Sequence, residues 1–175
     1  MRDAIPAPPA RSMKFSHLIQ INDPLNPLID PLSREQLWRG LAHRAENPLP
    51  FVLGLDGFRI LERAGSWLTR ELHFGKVTVR DRVTLEPMQQ VRYETEAGGG
   101  LPASSLVMTI EEPEADLLFV RFEYETLRRE GDAPGEAFYN AFLKKAYVEA
   151  DIDTIRTIRR LVEEKQLVET SFKSP

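Results

Sequence analysis

From Phe58 to Leu127 the chain alternates apolar and polar residues, and the alternation is broken only by short turn-like gaps. A period of two sends successive side chains to opposite faces of a strand. Connections this short join neighbouring strands antiparallel, because a parallel crossover needs a dozen residues or more. The pattern predicts six strands, at 58–63, 67–74, 77–86, 90–96, 104–111 and 117–127. The gaps are Ala64-Gly65-Ser66, Gly75-Lys76, Pro87-Met88-Gln89, the loop 97–103 with Gly98-Gly99-Gly100, and Glu112 to Asp116. Together they describe a meander.

The hairpin Trp67–Leu85 sets the register. Gly75-Lys76 suits a two-residue type II′ turn, which places Phe74 opposite Val77, Leu72 opposite Val79 and Leu68 opposite Val83. Arg70 then faces Asp81, and both lie on the apolar side. On the polar side Glu71 faces Arg80, Arg82 faces Glu94, and Arg80 faces Glu96. Such exposed pairs contribute at most about 1 kcal/mol each. Their agreement across three strands makes the inward placement of Arg70 and Asp81 more credible.

Ahead of the meander, residues 14–21 read as a strand with Phe15, His17 and Ile19 on one face. A loop punctuated by Asp23-Pro24, Asn26-Pro27 and Asp30-Pro31 follows. Ser33 with Gln36 three residues on makes a capping box, and Leu37, Trp38, Leu41, Ala42 and Ala45 give the helix its apolar stripe before Asn47-Pro48 ends it. After the meander a long helix is predicted over about 134–165. Phe138, Tyr139, Phe142, Leu143, Ala146 and Ala150 form its first apolar side, and further on Val148, Ile152, Ile155, Ile158 and Val162 form a rotated one, the shift falling near residue 150. That helix is the expected cover for the sheet's apolar face. The expectation is an α+β fold in one domain, 13–167, between a Pro/Ala-rich leader, 1–12, and a tail, 168–175.

The net charge of −4 argues against nucleic acid as the main partner. The chain has no Cys, so disulfides and thiol chemistry are excluded. That fits a cytoplasmic setting. No apolar run reaches the ~20 residues that span a bilayer. No His/Asp/Glu spacing matches a metal site, and no cofactor is expected.

Arg70 and Asp81 are the first candidate site residues. Two readings stay open: a polar anchor for a ligand anion through the guanidinium fork, or a buried ion pair specifying register. His17 is a candidate base or a packed core histidine. His73 is expected to point outward and His43 to sit on a helix flank. Tyr93, Tyr124, Tyr139 and Tyr147 carry hydroxyls toward the interior or simply pack there. Met108, Phe122, Phe138 and Phe142 read as core or lining. Glu62 is expected at a solvent-facing strand end, and Arg156, Arg159 and Arg160 are expected to be solvated.

Several stretches give the chain a resemblance: Ile21-Asn22-Asp23-Pro24, Glu35-Gln36-Leu37-Trp38, Arg44-Ala45-Glu46-Asn47-Pro48, Arg80-Asp81-Arg82-Val83, Val91-Arg92-Tyr93-Glu94 and Ala150-Asp151-Ile152-Asp153-Thr154. With the element order, they resemble the AtaL-like branch of the START-like (SRPBCC, helix-grip) superfamily, which also includes polyketide cyclases. The resemblance implies a curved antiparallel sheet of about seven strands around the last helix, with a cavity between them. It carries no universal catalytic residue and no metal. The expected function is binding of a hydrophobic or aromatic small molecule in that cavity. The alternative is a cyclase, dehydratase or isomerase using proton transfer, with Asp81 or His17 as base and Arg70 or a Tyr stabilising an enolate. The sequence leaves monomer and homodimer open.

Overall fold

The computed structural model describes residues 11–128 and 136–167. The elements are β1 (Arg11–Gln20), α1 (Arg34–Glu46), β2 (Gly57–Ala64), β3 (Trp67–Phe74), β4 (Val77–Glu86), β5 (Gln90–Thr95), β6 (Ser104–Glu114), β7 (Leu117–Arg128) and α2 (Glu136–Glu163). All seven strands form one antiparallel sheet in the order β1-β7-β6-β5-β4-β3-β2. β1 closes the order by pairing with the last strand of the meander, Phe15 opposite Tyr124 and His17 opposite Phe122. It starts at Arg11, inside the stretch expected to be leader.

The predicted register holds through the central strands. Arg70 faces Asp81, Leu68 faces Val83, and Val83 faces Tyr93. Gly75 has φ +57°, the positive value a type II′ turn needs at its first central residue. On the outer face the Glu71 carboxylate accepts from Arg80 at 3.1 Å and Arg59 at 3.4 Å. The β2–β3 ladder has a bulge between Ile60 and Glu62. The extra residue turns the strand over, so Glu62 pairs opposite Thr69 and is exposed.

α1 is capped as its sequence dictates. The Ser33 side chain accepts from the Gln36 amide, and the Gln36 side chain accepts from the Ser33 amide. Leu37, Leu41, Ala42 and Ala45 are fully buried against the sheet and α2. Gly40 lets the two helices approach, since a Cβ there would collide with the Ile158 side chain. The Pro-punctuated loop is closed by Asn22, which imitates a backbone pair. Its amide donates to the Leu32 carbonyl at 2.7 Å and its carbonyl accepts from the Leu32 amide at 2.9 Å.

α2 is one continuous helix, and its inward stripe matches the predicted one only past residue 150, at Ile155 and Ile158. Tyr147, Asp151, Thr154, Ile155, Ile158 and Leu161 recur at i, i+4, i+7, i+8, i+11 and i+14, and from Asp151 onward all of these are buried. The apolar side expected from Tyr139, Phe142, Ala146 and Ala150 is exposed instead, with Phe142 at 64%. The stripe that packs runs through the polar residues Asp151 and Thr154, so apolar periodicity found Ile155 and Ile158 but pointed to the wrong side in the first half of the helix. Arg159 is also not a solvated charge. It donates to the carbonyls of Ile21 and Asp30 at 2.5 and 2.8 Å, tying α2 to the Pro-rich loop. Arg156 and Arg160 make local pairs with Asp153 and Glu164.

Candidate functional site

Arg70 and Asp81 are buried, 2% and 5% exposed. The pair is bidentate, with Nε to Oδ1 at 2.9 Å and Nη2 to Oδ2 at 2.5 Å. The remaining nitrogen, Nη1, donates to the carbonyls of Ala45 at 3.0 Å and Arg44 at 3.4 Å. Those carbonyls belong to the last turn of α1, where helix geometry leaves acceptors without intrahelical partners and the macrodipole favours a cation. The guanidinium is thus committed to one carboxylate and one helix end. Asp81 is correspondingly committed to Arg70.

A second polar group converges further along the sheet. β1 presents His17, β7 presents Tyr124, and α2 presents Asp151. His17 Nε2 lies 2.6 Å from Asp151 Oδ2, and the Tyr124 hydroxyl donates to Oδ1 at 2.5 Å. Asp151 is 1% exposed. Burial raises its carboxyl above the usual carboxylate range, against the opposing pull of the Tyr124 and His17 contacts. Burial, and then the neighbouring Asp151, pushes the Tyr124 phenol well above its ordinary value. Aromatic rings wall the group. Tyr147 stacks on Tyr124 at 3.9 Å, His17 stacks on Phe122 at 5.3 Å, and Phe15 lies 5.4 Å from His17. A buried carboxyl with a raised pKa between two proton-bearing side chains has the makings of an acid–base site.

Arg44 comes in from the end of α1 with its guanidinium over the Tyr93 ring, 4.8 Å from the centroid. Arg70 lies over the same ring at 5.2 Å. Arg44 Nε and the Tyr93 hydroxyl are both buried, and beyond their contact with each other neither has a hydrogen-bond partner. Burial works to lower the Arg44 pKa, and the Tyr93 oxygen beside it, helped by Tyr124 and Asp151, more than offsets this, leaving it raised. Higher on the inward side of α2, Asn140 also has a buried side-chain oxygen without a partner.

The structure therefore brings His17, Tyr93, Tyr124 and Tyr147 toward the interior. Met108 and Phe122 are 0% exposed and sit in the core. Phe142 is exposed, Tyr139 is 48% exposed, and the Phe138 side chain lies outside the described residues. His73 faces outward beside Glu71. His43 is half-buried with its ring edge toward Phe51, and burial lowers its pKa. Among the described residues no three His, Asp or Glu side chains group to hold a metal ion, and no helix is long and apolar enough to cross a membrane. Asp151 and Arg44 were not among the sequence candidates. Both lie in the stretches behind the family resemblance, which assign neither a role.

Solved structures share this fold at low identity. The di-domain aromatase/cyclase StfQ of the steffimycin biosynthetic pathway superposes with a TM-score of 0.67 at 10% identity, covering 90% of this chain. The chain spans 53% of StfQ. The Zhui aromatase/cyclase from a Streptomyces strain gives 0.65 at 18% identity, covering 90% of this chain and 100% of its own. Norcoclaurine synthase from Thalictrum flavum gives 0.60 at 13% identity, covering 86% and 95%. These likenesses establish the helix-grip fold. No curated protein matches the chain by sequence. The family described as acetylaranotin biosynthesis cluster protein L, AtaL, matches residues 19–165, and the chain belongs to that family.

Proposed function

We propose that the chain binds a hydrophobic or aromatic small molecule between the sheet and α2, with the Asp151 cluster at the molecule's polar end. One observation carries this reading: a buried carboxyl, bonded by side chains from two strands, sits among stacked aromatic rings. A few convergent polar groups inside apolar walls are the usual make-up of a small-molecule site. The fold supports it, since neighbours of this fold are named as aromatase/cyclases. The test is native mass spectrometry of the purified protein, followed by titration with an aromatic probe such as 2-acetylnaphthalene. The expected result is a co-purified small-molecule adduct or saturable probe binding, weakened in Asp151→Asn. A protein that carries no adduct and takes up no probe would overturn the reading.

A second reading, proton-transfer catalysis of the cyclase, dehydratase or isomerase type, is favoured by the raised Asp151 carboxyl in contact with His17. On this reading the base is Asp151 with His17 rather than Asp81, whose carboxylate Arg70 engages. Turnover of the bound compound would be lost in folded Asp151→Asn and His17→Gln proteins. Unchanged turnover would remove both as bases.

A further inference from the structure

We propose that Arg44 and Tyr93 form a subsite for an anionic oxygen group on the bound small molecule, with a carboxylate as the simplest carrier. This rests on the binding reading above and adds the chemical class of the ligand.

Arg44 Nε and Tyr93 Oη are both buried, and beyond their contact with each other neither has a partner. A buried donor left unpaired costs about 1–3 kcal/mol, so native structures seldom leave two together without a reason. Arg has donors and no acceptor, so whatever satisfies Nε must accept a hydrogen bond. The charge on Arg44 selects further. Its neighbour Arg70 is paired with Asp81, and the nearby Asp151 carboxyl is engaged by His17 and Tyr124. Arg44 itself makes no ion pair among the described residues; its contacts are the face and the oxygen of Tyr93. With Arg44 against its oxygen, the Tyr93 hydroxyl keeps its hydrogen to donate. A guanidinium edge and a phenolic O–H with no acceptor beyond the Tyr93 oxygen match the two lone-pair-bearing oxygens of a carboxylate.

The placement fits a ligand with an aromatic body. Tyr93 stands on the inner face of β5 and Arg44 at the end of α1, while the aromatic wall of Phe15, Tyr124 and Tyr147 belongs to β1, β7 and α2. The Asp151 carboxyl acts electrostatically on Arg44, so the two polar groups share one interior. An anion on Arg44 would leave the aromatic body to lie along the rings, with Asp151 and Tyr124 facing its other polar atoms.

The test compares 2-naphthoate with 2-acetylnaphthalene, which has the same rings and carbonyl but no charge, by isothermal titration at neutral pH. Wild-type protein should bind 2-naphthoate at least about tenfold more tightly, the size of one charge-assisted hydrogen bond. Arg44→Gln should abolish that preference, read as the ratio of the two probes' affinities in the same protein. Tyr93→Phe should weaken 2-naphthoate by a smaller factor, and Arg44→Lys should retain part of the preference because the charge remains. Equal affinity for the two probes in wild-type protein would overturn the subsite alone and point to an ordered water on the orphan atoms. A preference that survives in a folded Arg44→Gln protein would do the same. Failure of both probes to bind would overturn the binding reading and the subsite together. The wild-type comparison decides the matter even if a variant does not fold.

Discussion

The Arg70 guanidinium of β3 donates to the Ala45 carbonyl of α1 at 3.0 Å while Asp81 of β4 holds its other edge. One side chain thereby joins the β3–β4 hairpin to the end of the helix that carries Arg44. Removing one member of such a buried pair leaves an uncompensated charge, at a cost of about 3–5 kcal/mol. Arg70→Met and Asp81→Asn should each lower the unfolding free energy by about that much in urea denaturation. Arg70→Met combined with Asp81→Leu should recover most of the loss, because no buried charge then lacks a partner. A loss below about 1 kcal/mol in either single variant, the range of a surface pair, would refute the clip.

Gly40 is where α1 and α2 meet most closely. An added Cβ would overlap several side-chain carbons of Ile158, which is 0% exposed. Ile is stiff at χ1 and has no free space to rotate into. Helix propensity favours Ala over Gly by up to about 1 kcal/mol. Overpacking a filled core costs about 1–3 kcal/mol and should win. Gly40→Ala is therefore expected to unfold at lower temperature than wild type, and Gly40→Ala with Ile158→Val to regain part of the loss. A Gly40→Ala protein with raised thermal stability would show that the helices separate easily.

Local signals in the sequence account for most of the fold. The Ser33–Gln36 box predicts the start of α1, and the Gly75-Lys76 turn with its flanking alternation predicts the pairing of Arg70 with Asp81. Both depend on residues close in sequence or joined by a short turn. The site depends on neither. His17 and Asp151 lie 134 positions apart, and Tyr124, Tyr93 and Arg44 come from three other elements, so no spacing encodes their meeting. Asp151 was hidden for a further reason: it sits on the inward stripe of α2, where an apolar residue is expected. Apolar periodicity assigned the buried side of the helix's first half to Phe142 and Ala146 instead, although it found Ile155 and Ile158 further on. Looking for the polar residue on a helix's i, i+4, i+7 stripe, here Tyr147, Asp151 and Thr154, would have been the signal.

The raised Asp151 carboxyl gives the protein a characteristic dependence of stability on pH. Arg44 of α1, His17 of β1 and Tyr124 of β7 are the titratable groups that act on it. A carboxyl whose folded pKa lies above its ordinary value of 3.8 binds more protons folded than unfolded. Its contribution favours folding below that value and is lost as pH rises through the folded pKa. Asp151→Asn removes this titration and keeps an oxygen to accept from Tyr124. Measured by urea denaturation at a series of pH values, the stability of Asp151→Asn relative to wild type should improve as pH rises above about 4. A difference that is flat with pH, or that falls, would show that the folded carboxyl is not raised.

The partners of Asp151 should be separable by their effect on its titration, followed by carboxyl carbon NMR. Burial raises the carboxyl, and the Tyr124 hydroxyl, His17 and Arg44 each pull it down, with Arg44 acting through charge alone. Deleting any of the three should therefore move the carboxyl further upward. Tyr124→Phe should have the largest effect, because it removes a hydrogen bond to the charged form while keeping the ring stacked on Tyr147. His17→Gln should come next if its amide restores part of the contact at Oδ2. Arg44→Gln should move it least, since no hydrogen bond joins Arg44 to Asp151 and the interaction is purely coulombic. A downward shift in Tyr124→Phe would mean that the phenol does not donate to the carboxylate. A shift in Arg44→Gln larger than in Tyr124→Phe would place Arg44 in direct contact with Asp151, where it would no longer be free to receive a ligand's anion.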